Sequence, residues 1–211
     1  MKPKIQRQRA LLCSFAILFC IIAVSPARAA APADQIRETI NKILGVLNDP
    51  SLKADDKKKE RLERLKELIE PQFDFVEMAK RSLGAHWQRR SPKEQEEFVK
   101  LFKELLETSY IDSIDSYNGE KIAIKSEKQD KDYAEVDTRI VTKKGEEFSI
   151  NYKLMANGGW KVYDVIIENI SLVNNYRSQF NRVIAQSSYE DLMRKLKEKE
   201  IATPAKKVKS S

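Results

Sequence analysis

Few side chains in this 211-residue chain have the types and spacing that catalysis or metal binding requires. His86 is the single histidine, and the two cysteines, Cys13 and Cys20, lie near the amino terminus. A zinc site needs several Cys or His ligands at short spacing, and a nucleophilic serine or cysteine needs a base that a third group orients. The chain also lacks G-x-S-x-G, H-E-x-x-H, a phosphate-binding glycine run and an Asp-rich calcium loop. The sequence therefore predicts no catalytic residue, no metal site and no cofactor.

Carboxylates do occur in close pairs, which is the arrangement that general acid–base catalysis uses. Asp112 and Asp115 lie in a stretch with helical periodicity, and Glu146 and Glu147 are adjacent near a turn. On an exposed helix or at the end of a strand, such pairs are usually solvated surface groups. We therefore interpret both pairs as surface groups and expect a protein that is not an enzyme.

The first 29 residues have the features of a secretory signal peptide. Basic residues precede an apolar stretch from Ala10 to Val24, and Ala27-Arg28-Ala29 is a small-x-small cleavage pattern. The apolar stretch has 15 residues, fewer than the roughly 20 that a membrane-spanning helix needs. We therefore predict cleavage between Ala29 and Ala30 and a periplasmic location for the mature protein.

Removal of this segment would change the charge and the thiol content of the protein. It carries both cysteines and five basic residues without an acidic one, so cleavage lowers the formal net charge from +7 to +2. Lys206, Lys207 and Lys209 lie in a Pro/Ala/Ser tail, residues 201–211, which we predict to be disordered. The remaining residues, 30–200, are near neutral and suffice for a single domain. Because a nucleic-acid-binding domain normally has a basic face, we expect no nucleic-acid partner.

Helical periodicity occupies both ends of the mature chain. Apolar positions predict a helix over 33–48, a charged helix over 55–70 and a short aromatic-rich helix that ends at Gly84. Ser91-Pro92-Lys93-Glu94 is a capping box with proline at the first helical position, and it predicts a long helix to about Tyr117. After residue 171, two further amphipathic helices complete the chain.

Between these helices the apolar period changes to two, which predicts four β-strands. The predicted strands are Lys121–Lys128, Tyr133–Val141, Glu147–Met155 and Trp160–Ile167. Short connections make neighbouring strands antiparallel, and alternation gives the sheet one apolar face. The pattern indicates an α+β protein with a curved four-stranded antiparallel sheet, whose apolar face is covered by helices from both ends of the chain. It leaves open whether the space between these layers is filled core or a cavity.

Several spaced motifs resemble one known family. The first half of the chain contains Phe73-Asp74-Phe75 with Met78-Ala79, then Leu83-Gly84-Ala85-His86-Trp87, then Phe98 and Phe102 in the helix that ends with Tyr117. The second half contains Trp160-Lys161-Val162-Tyr163-Asp164-Val165, Ile167-Glu168, and Ser171-Leu172-Val173-Asn174-Asn175-Tyr176-Arg177 with Gln179-Phe180. From about residue 33 to residue 199, the chain resembles the MlaC family, also called the toluene-tolerance auxiliary proteins. Asn169 and Ser187-Ser188 stand where that family usually has glycine.

The resemblance implies an NTF2-like sheet and a pocket that encloses the acyl tails of a phospholipid. Proteins of this family are periplasmic phospholipid carriers of the Mla lipid-asymmetry system. The implied partners are an inner-membrane ABC transporter with an MCE-domain ring and an outer-membrane lipoprotein–porin complex. Phospholipid would be cargo rather than a resident cofactor, and we expect a monomer.

We predict lipid contacts on the apolar face of the sheet and on the helices above it. The predicted residues are Phe98, Phe102, Leu105, Tyr110, Val136, Ile140, Phe148, Ile150, Tyr152, Leu154, Val165 and Tyr176. Ordinary packing in the core is the alternative role for each of them. Arg177 and Lys161 are candidates for contact with a phosphate at the mouth of the pocket. Two other interpretations stay open: an NTF2-like enzyme with acid or base groups inside the curved sheet, and a periplasmic structural or chaperone-like protein with a filled interior.

Overall fold

The computed structural model describes residues 31–202. The predicted signal peptide, residues 1–29, and residues 203–211 of the predicted tail lie outside this range. Within it, the elements follow the predicted order of helices, then strands, then helices. Among these residues, none of the helices combines the length and the hydrophobicity of a membrane-spanning segment.

Six α-helices occur in this range. They are α1 (Pro32–Asn48), α2 (Lys58–Ile69), α3 (Phe75–Leu83), α4 (Pro92–Asp115), α5 (Leu172–Gln186) and α6 (Tyr189–Lys197). The predicted charged helix over 55–70 is shorter than expected, because its first residues, Asp55–Lys57, form a separate 3-10 turn. The other helices begin and end close to the predicted residues.

Helix α4 begins at the predicted capping box. The Glu94 amide donates a hydrogen bond to Ser91 Oγ at 3.3 Å, and the Ser91 amide donates to the Glu94 carboxylate at 2.7 Å. Pro92 occupies the first helical position, where its missing N–H leaves no hydrogen bond unmade. These local contacts fix the start of α4. The first half of this helix borders a packed core, and its second half borders a cavity.

The sheet has five antiparallel strands in the order β1-β2-β3-β4-β5. They are β1 (Lys121–Asp130), β2 (Tyr133–Val141), β3 (Glu147–Ala156), β4 (Trp160–Ile167) and β5 (Ile170–Ser171). The prediction of four strands missed β5, because two residues are too short to show an alternating pattern. Glu168 and Asn169 connect β4 to β5 with φ values of 47° and 65°, the positive values that a type I′ hairpin turn requires. Asn169 therefore adopts a left-handed backbone geometry that glycine, the residue expected there from the resemblance, also adopts readily.

The sheet is curved and open rather than closed into a barrel. Its pairing shifts register between Ile124 and Ser126 in β1, and again between Lys153 and Leu154 where β3 pairs with β4. Such bulges bend the strands that contain them and increase their twist. The curvature gives the sheet a concave apolar face, which α1 and α4 cover.

The larger packed cluster, which we call the helical core, lies among α3, α4, α5 and α6. Phe102 packs against Tyr176 with ring centroids 5.4 Å apart, and Phe98 packs against Phe180 at 5.6 Å; both pairs are near perpendicular. All four side chains are completely buried. Ile201 is also buried against this cluster, so the packed body extends one residue into the predicted tail.

A smaller cluster, the sheet core, fills one end of the concave face. Ala33 and Ile36 of α1 pack there on a row of three residues that lie opposite one another in neighbouring strands. This row consists of Ala134, Leu154 and Val162. Toward the other end of the sheet, Ile140 lies opposite Phe148, and both side chains are only half-buried. The apolar face is thus filled at one end and unfilled at the other.

Candidate functional site

A cavity of about 530 Å³ lies between the concave face of the sheet and helices α1, α2 and α4. The sheet contributes Ile122, Ile140, Phe148, Ile150, Tyr152, Val162, Val165 and Ile167 to its wall. Strand alternation brings most of these side chains to one face, because residues two apart in a strand point the same way. In β4 the register shift places Val162 and Val165, three residues apart, on that face as well. The wall is therefore mostly aliphatic and aromatic.

Helix α1 forms the wall opposite the sheet. Its lining residues are Ile36, Ile40, Ile43, Leu44 and Leu47, which recur at the spacing of one helix face. The start of α1 is attached to the sheet, since the Ala33 amide donates to the Glu127 carboxylate at 2.6 Å and the Gln35 side-chain amide donates to the Trp160 carbonyl at 2.7 Å. Beyond Ile36 this face is only half-buried, because it borders the cavity instead of packed side chains.

The carboxyl-terminal half of α4 completes the enclosure and is held by an ion pair. Arg61 of α2 binds Asp115 through two hydrogen bonds, Nε to Oδ1 at 2.5 Å and Nη2 to Oδ2 at 3.1 Å. Arg61 also donates to the Leu52 carbonyl at 2.5 Å. The Asp115 side chain is only 10% exposed, and its hydrogen bonds with Arg61 hold its pKa below the ordinary value. The interpretation of Asp115 as a solvated surface group was therefore wrong, whereas Asp112 is exposed and pairs with Lys58.

Six of the twelve predicted site residues line the cavity. They are Tyr110, Ile140, Phe148, Ile150, Tyr152 and Val165. On the sheet, Ile140 lies opposite Phe148 and Tyr152 lies opposite Val165, so these four side chains form neighbouring rows of one surface. Their contact with a lipid stays a prediction.

The other six predicted residues lie in packed clusters and do not line the cavity. Phe98, Phe102, Leu105 and Tyr176 belong to the helical core, and Val136 and Leu154 belong to the sheet core. The apolar face of α4 is continuous in sequence, but α3, α5 and α6 cover its amino-terminal half. Their packing agrees with the alternative role of ordinary core, and their contact with a lipid is untested.

Sequence reasoning missed the contribution of α1 and of the last turns of α4. The spacing of the α1 residues predicts a helix face but does not indicate that this face borders a cavity. Ile111, Ile114 and Tyr117 line the cavity near the end of α4. Their apolar periodicity was the available signal, but only the position of the sheet decides which part of such a face meets open space.

A few polar groups are buried beside this apolar wall. The Tyr110 hydroxyl has no hydrogen-bond partner within residues 31–202, and burial raises the pKa of this side chain well above its ordinary value. Burial also raises the pKa of Tyr152 to about 12. For Glu107, burial and then the nearby Glu70 carboxylate raise the pKa above 4.5, although Lys103 Nζ lies 3.6 Å from Glu107 Oε1. The cavity can therefore enclose apolar groups while it presents a small number of incompletely satisfied polar atoms.

The remaining candidates for chemistry lie elsewhere. His86 Nε2 is 3.0 Å from Asn181 Oδ1, outside the cavity wall. Lys161 donates to the Pro71 carbonyl at 2.5 Å, and Arg177 lies against Gly84 in a separate depression. Neither cation lines the cavity, and contact of either with a phosphate at its mouth stays a prediction. In the part of the chain that the structure covers, no group of three or more His, Cys, Asp or Glu side chains is arranged to hold a metal.

Comparison with known proteins adds to this geometry. A family model described as MlaC protein matches residues 37–198, which is most of the chain. The chain belongs to the MlaC family. One MlaC relative, the intermembrane phospholipid transport system binding protein MlaC of Haemophilus influenzae, is 26% identical over 122 residues. That alignment covers 55% of this chain and 57% of the relative, so it spans little more than half of the H. influenzae protein.

Two further comparisons extend over more of the chain. Toluene tolerance protein ttg2D of Pseudomonas putida is 24% identical over 167 residues, which are 78% of each protein. The phospholipid-binding protein from Ralstonia solanacearum, solved in complex with a phospholipid, superimposes with a TM-score of 0.71 at 24% identity. This match covers 80% of the present chain and 96% of the other, and it shows a shared fold. The resemblance to MlaC and the predicted α+β fold are therefore confirmed.

Proposed function

We propose that this MlaC-family protein is a periplasmic phospholipid carrier that buries acyl chains between α1, α4 and the sheet. The observation that carries the proposal is the unfilled apolar cavity of about 530 Å³. Ligand cavities typically measure about 300–1,000 Å³ and combine apolar walls with a few polar groups. Acyl chains fit this chemistry because they need an apolar wall and no hydrogen-bond partner.

The relatives support the same class of cargo. The H. influenzae protein is named for intermembrane phospholipid transport, and the R. solanacearum protein with this fold was solved with a phospholipid bound. A transport role between membranes also agrees with a periplasmic location, which the sequence predicts from its signal-peptide features. The cavity then supplies the enclosed apolar environment that a lipid needs while it crosses an aqueous compartment.

The energetics explain why such a carrier needs partners. Burying one methylene contributes about 0.8 kcal/mol, so an acyl chain of roughly fifteen methylenes contributes on the order of 12 kcal/mol before ordering costs. Spontaneous release into water would be slow at this affinity. Transfer requires docking to complexes that offer the chains another apolar path. For these we propose an inner-membrane MCE-domain ABC transporter and an outer-membrane lipoprotein–porin complex, with outer-membrane lipid asymmetry as the outcome.

The other two interpretations gain no specific support. A chaperone-like protein with a filled interior does not account for open space between α1 and the sheet. An enzyme would place its acid or base within that space, yet His86 lies outside the cavity wall. Glu107 does line it, but its charged neighbours include Lys103 and Glu70, and within residues 31–202 it makes no hydrogen bond to a serine, threonine or histidine side chain.

Native mass spectrometry of the protein purified from the periplasm tests the cargo. Wild-type protein should carry the added mass of a phospholipid. Tyr152→Arg places a charge in the cavity wall and should abolish this mass while circular dichroism stays that of a folded protein. Asn151→Arg is the matched control, because its side chain lies on the opposite face of the same strand and should retain lipid. Lipid at wild-type stoichiometry in Tyr152→Arg, or none in the wild type, would contradict the proposal.

A transfer assay tests the partners. Protein loaded with a labelled phospholipid should release it faster to vesicles that contain the MCE-domain transporter than to lipid-matched vesicles without it. The same comparison applies to vesicles that contain the lipoprotein–porin complex. Equal release rates with and without each complex would refute docking as the route of transfer and leave lipid binding itself intact.

A further inference from the structure

A second depression, of about 320 Å³, lies between α3, α5 and strands β3 and β4. It shares no lining residue with the cavity. Tyr152 and Val165 line the cavity, whereas their neighbours Lys153 and Asp164 line the depression, so the two spaces lie on opposite faces of the sheet. We call this depression the basic pocket.

Positive charge dominates the wall of the basic pocket. Lys80, Arg81, Lys153 and Arg177 all contribute to it. Glu77 binds Arg81 at 2.7 Å and Lys80 at 3.4 Å, but neither Lys153 nor Arg177 has a carboxylate within ion-pair distance in residues 31–202. Two of the four cations are therefore free to bind an anion from outside.

The acidic residue in this wall, Asp164, is already engaged. It is buried, and its carboxylate accepts hydrogen bonds from the Ser171 hydroxyl at 2.6 Å and from the Val173 amide at 3.1 Å. These bonds connect β4 to the first turn of α5 and direct the carboxylate toward internal donors. Asp164 thus organises the base of the pocket and forms no ion pair with Lys153 or Arg177.

The backbone makes room for one of these cations. Gly84 ends α3 with φ of 58°, a conformation that side chains rarely adopt, and the Arg177 side chain lies directly against it. A β-carbon on residue 84 would lie 2.9 Å from Arg177 Nε, which is closer than atoms pack. Arg81 is likewise positioned, since its guanidinium lies over the Tyr163 ring at 4.3 Å from the centroid. Glu77 and Tyr163 therefore hold the Arg81 guanidinium, whereas Gly84 leaves room for the exposed Arg177 side chain.

We propose that the basic pocket is a binding site for a phosphate group, separate from the acyl-chain cavity. Guanidinium groups bind phosphate oxygens through paired hydrogen bonds, and lysine adds a point charge. The side-chain amides of Gln88 and Asn174 border the same space and can donate further hydrogen bonds. A phosphate, with at least three acceptor oxygens, uses this number of donors better than a carboxylate does. The source is either the headgroup of a membrane phospholipid or a soluble phosphate.

A charge-matched pair of double variants tests the site. Arg177→Ala with Lys153→Ala removes the two unpaired cations, whereas Lys125→Ala with Lys128→Ala removes two exposed charges from β1, outside both spaces. Binding of inorganic phosphate is measured by calorimetry. Binding to vesicles of phosphatidylglycerol with phosphatidylcholine, and of phosphatidylcholine alone, is measured by sedimentation. The pocket variant should bind at least about tenfold more weakly than the wild type, and the β1 variant should bind like the wild type.

Two single variants refine the test. Gly84→Ala should displace Arg177 and weaken phosphate binding without removing any charge. Arg177→Lys keeps the charge but loses the paired hydrogen bonds, so its affinity should lie between those of the wild type and the double variant. Wild-type affinity in both would overturn the proposed role of the guanidinium.

The outcomes distinguish a lipid headgroup from a soluble anion as the source of the phosphate. They also distinguish phosphate binding in the basic pocket from lipid binding in the cavity. Weaker binding of both probes supports the site and assigns it to lipid headgroups, whereas weaker binding of inorganic phosphate alone supports it and assigns it to a soluble anion. Equal loss in the two double variants, or no binding by the wild type, overturns the proposal. Because the spaces are separate, the pocket variant should keep the phospholipid mass in native mass spectrometry. A wild-type protein that binds phosphate but carries no lipid would overturn the proposed carrier function and leave this site standing.

Discussion

The two halves of α4 carry apolar side chains at the same helical spacing but face different neighbours. Phe98 and Phe102, in the first half, are completely buried against the aromatic rings of α5. Ile114 and Tyr110, in the second half, are only partly buried and line the cavity opposite aliphatic α1. An apolar helix face therefore becomes core or cavity according to the element that covers it. Interlocking aromatic rings fill space, whereas the α1 face stays far enough from the sheet to leave a void.

The largest expected effect comes from the packed half. Phe102→Ala should lower the free energy of unfolding by about 4 kcal/mol, because it removes a fully packed ring and leaves a void. Urea denaturation of lipid-free protein measures this change. The matched variant in the cavity half, Ile114→Ala, should cost about 1 kcal/mol or less, because its side chain has few contacts to lose. Equal losses in the two variants would remove the distinction between the halves.

The second prediction concerns the ion pair that holds the cavity half of α4. Asp115→Asn should destabilise the protein by about 3 kcal/mol, because it leaves the largely buried Arg61 charge without a carboxylate. Asp112→Asn, which removes an exposed pair with Lys58, should change stability by less than about 1 kcal/mol. Thermal or urea unfolding at pH 7 compares the two. A similar small loss in both would show that Asp115 does not secure this part of the helix.

The same residue predicts a pH dependence. Hydrogen bonds with Arg61 lower the folded-state pKa of Asp115 below 3.8, so its stabilisation is fully present above that value. The stabilisation should disappear as the pH falls through the lowered folded-state pKa. The stability difference between wild type and Asp115→Asn should therefore shrink only below pH 3.8. A difference that already vanishes near neutral pH would contradict this assignment.

The smallest effect is expected at the polar edge of the cavity. Burial and the Glu70 carboxylate raise the folded-state pKa of Glu107 above its ordinary value of 4.5. The folded protein therefore becomes less stable as the pH rises above 4.5, because the side chain ionises more easily in the unfolded chain. Glu107→Gln should raise the melting temperature by about 1–2 °C at pH 7 and leave it unchanged below pH 4.5. Glu104→Gln, on the exposed side of the same helix, is the control and should have no effect. A lower melting temperature for Glu107→Gln at pH 7 would contradict the direction given for its pKa.

Local signals explain what the sequence could predict. The capping box at Ser91 fixes the start of α4, and the apolar pattern predicts the bounds of β2 and β4 as the structure has them, although a bulge interrupts the alternation of β4. The family motifs extend this to the overall fold. The sequence did not predict strand β5, because two residues are too few to show an alternating pattern. Its hairpin depends on the positive φ values of Glu168 and Asn169.

The candidate site was harder to predict because it depends on contacts distant in sequence. The sheet residues Ile140, Phe148 and Tyr152 could be placed on one face by alternation alone. Whether Phe98 or Ile114 borders the void depends on where α5 and α1 pack, and no local pattern contains that information. Asp115 was misread for the same reason, since its partner Arg61 lies 54 residues earlier in the chain.

Photocrosslinking tests whether the cavity half of α4, rather than its packed half, holds the acyl chains. The protein would be loaded with a phospholipid that carries a diazirine in one acyl chain, irradiated, and digested for mass spectrometry. Adducts are expected at Tyr110 or Ile114, at the α1 face and at Ile140 or Phe148 of the sheet. Adducts concentrated at Phe98 and Phe102, or a protein that takes up no lipid, would contradict this expectation.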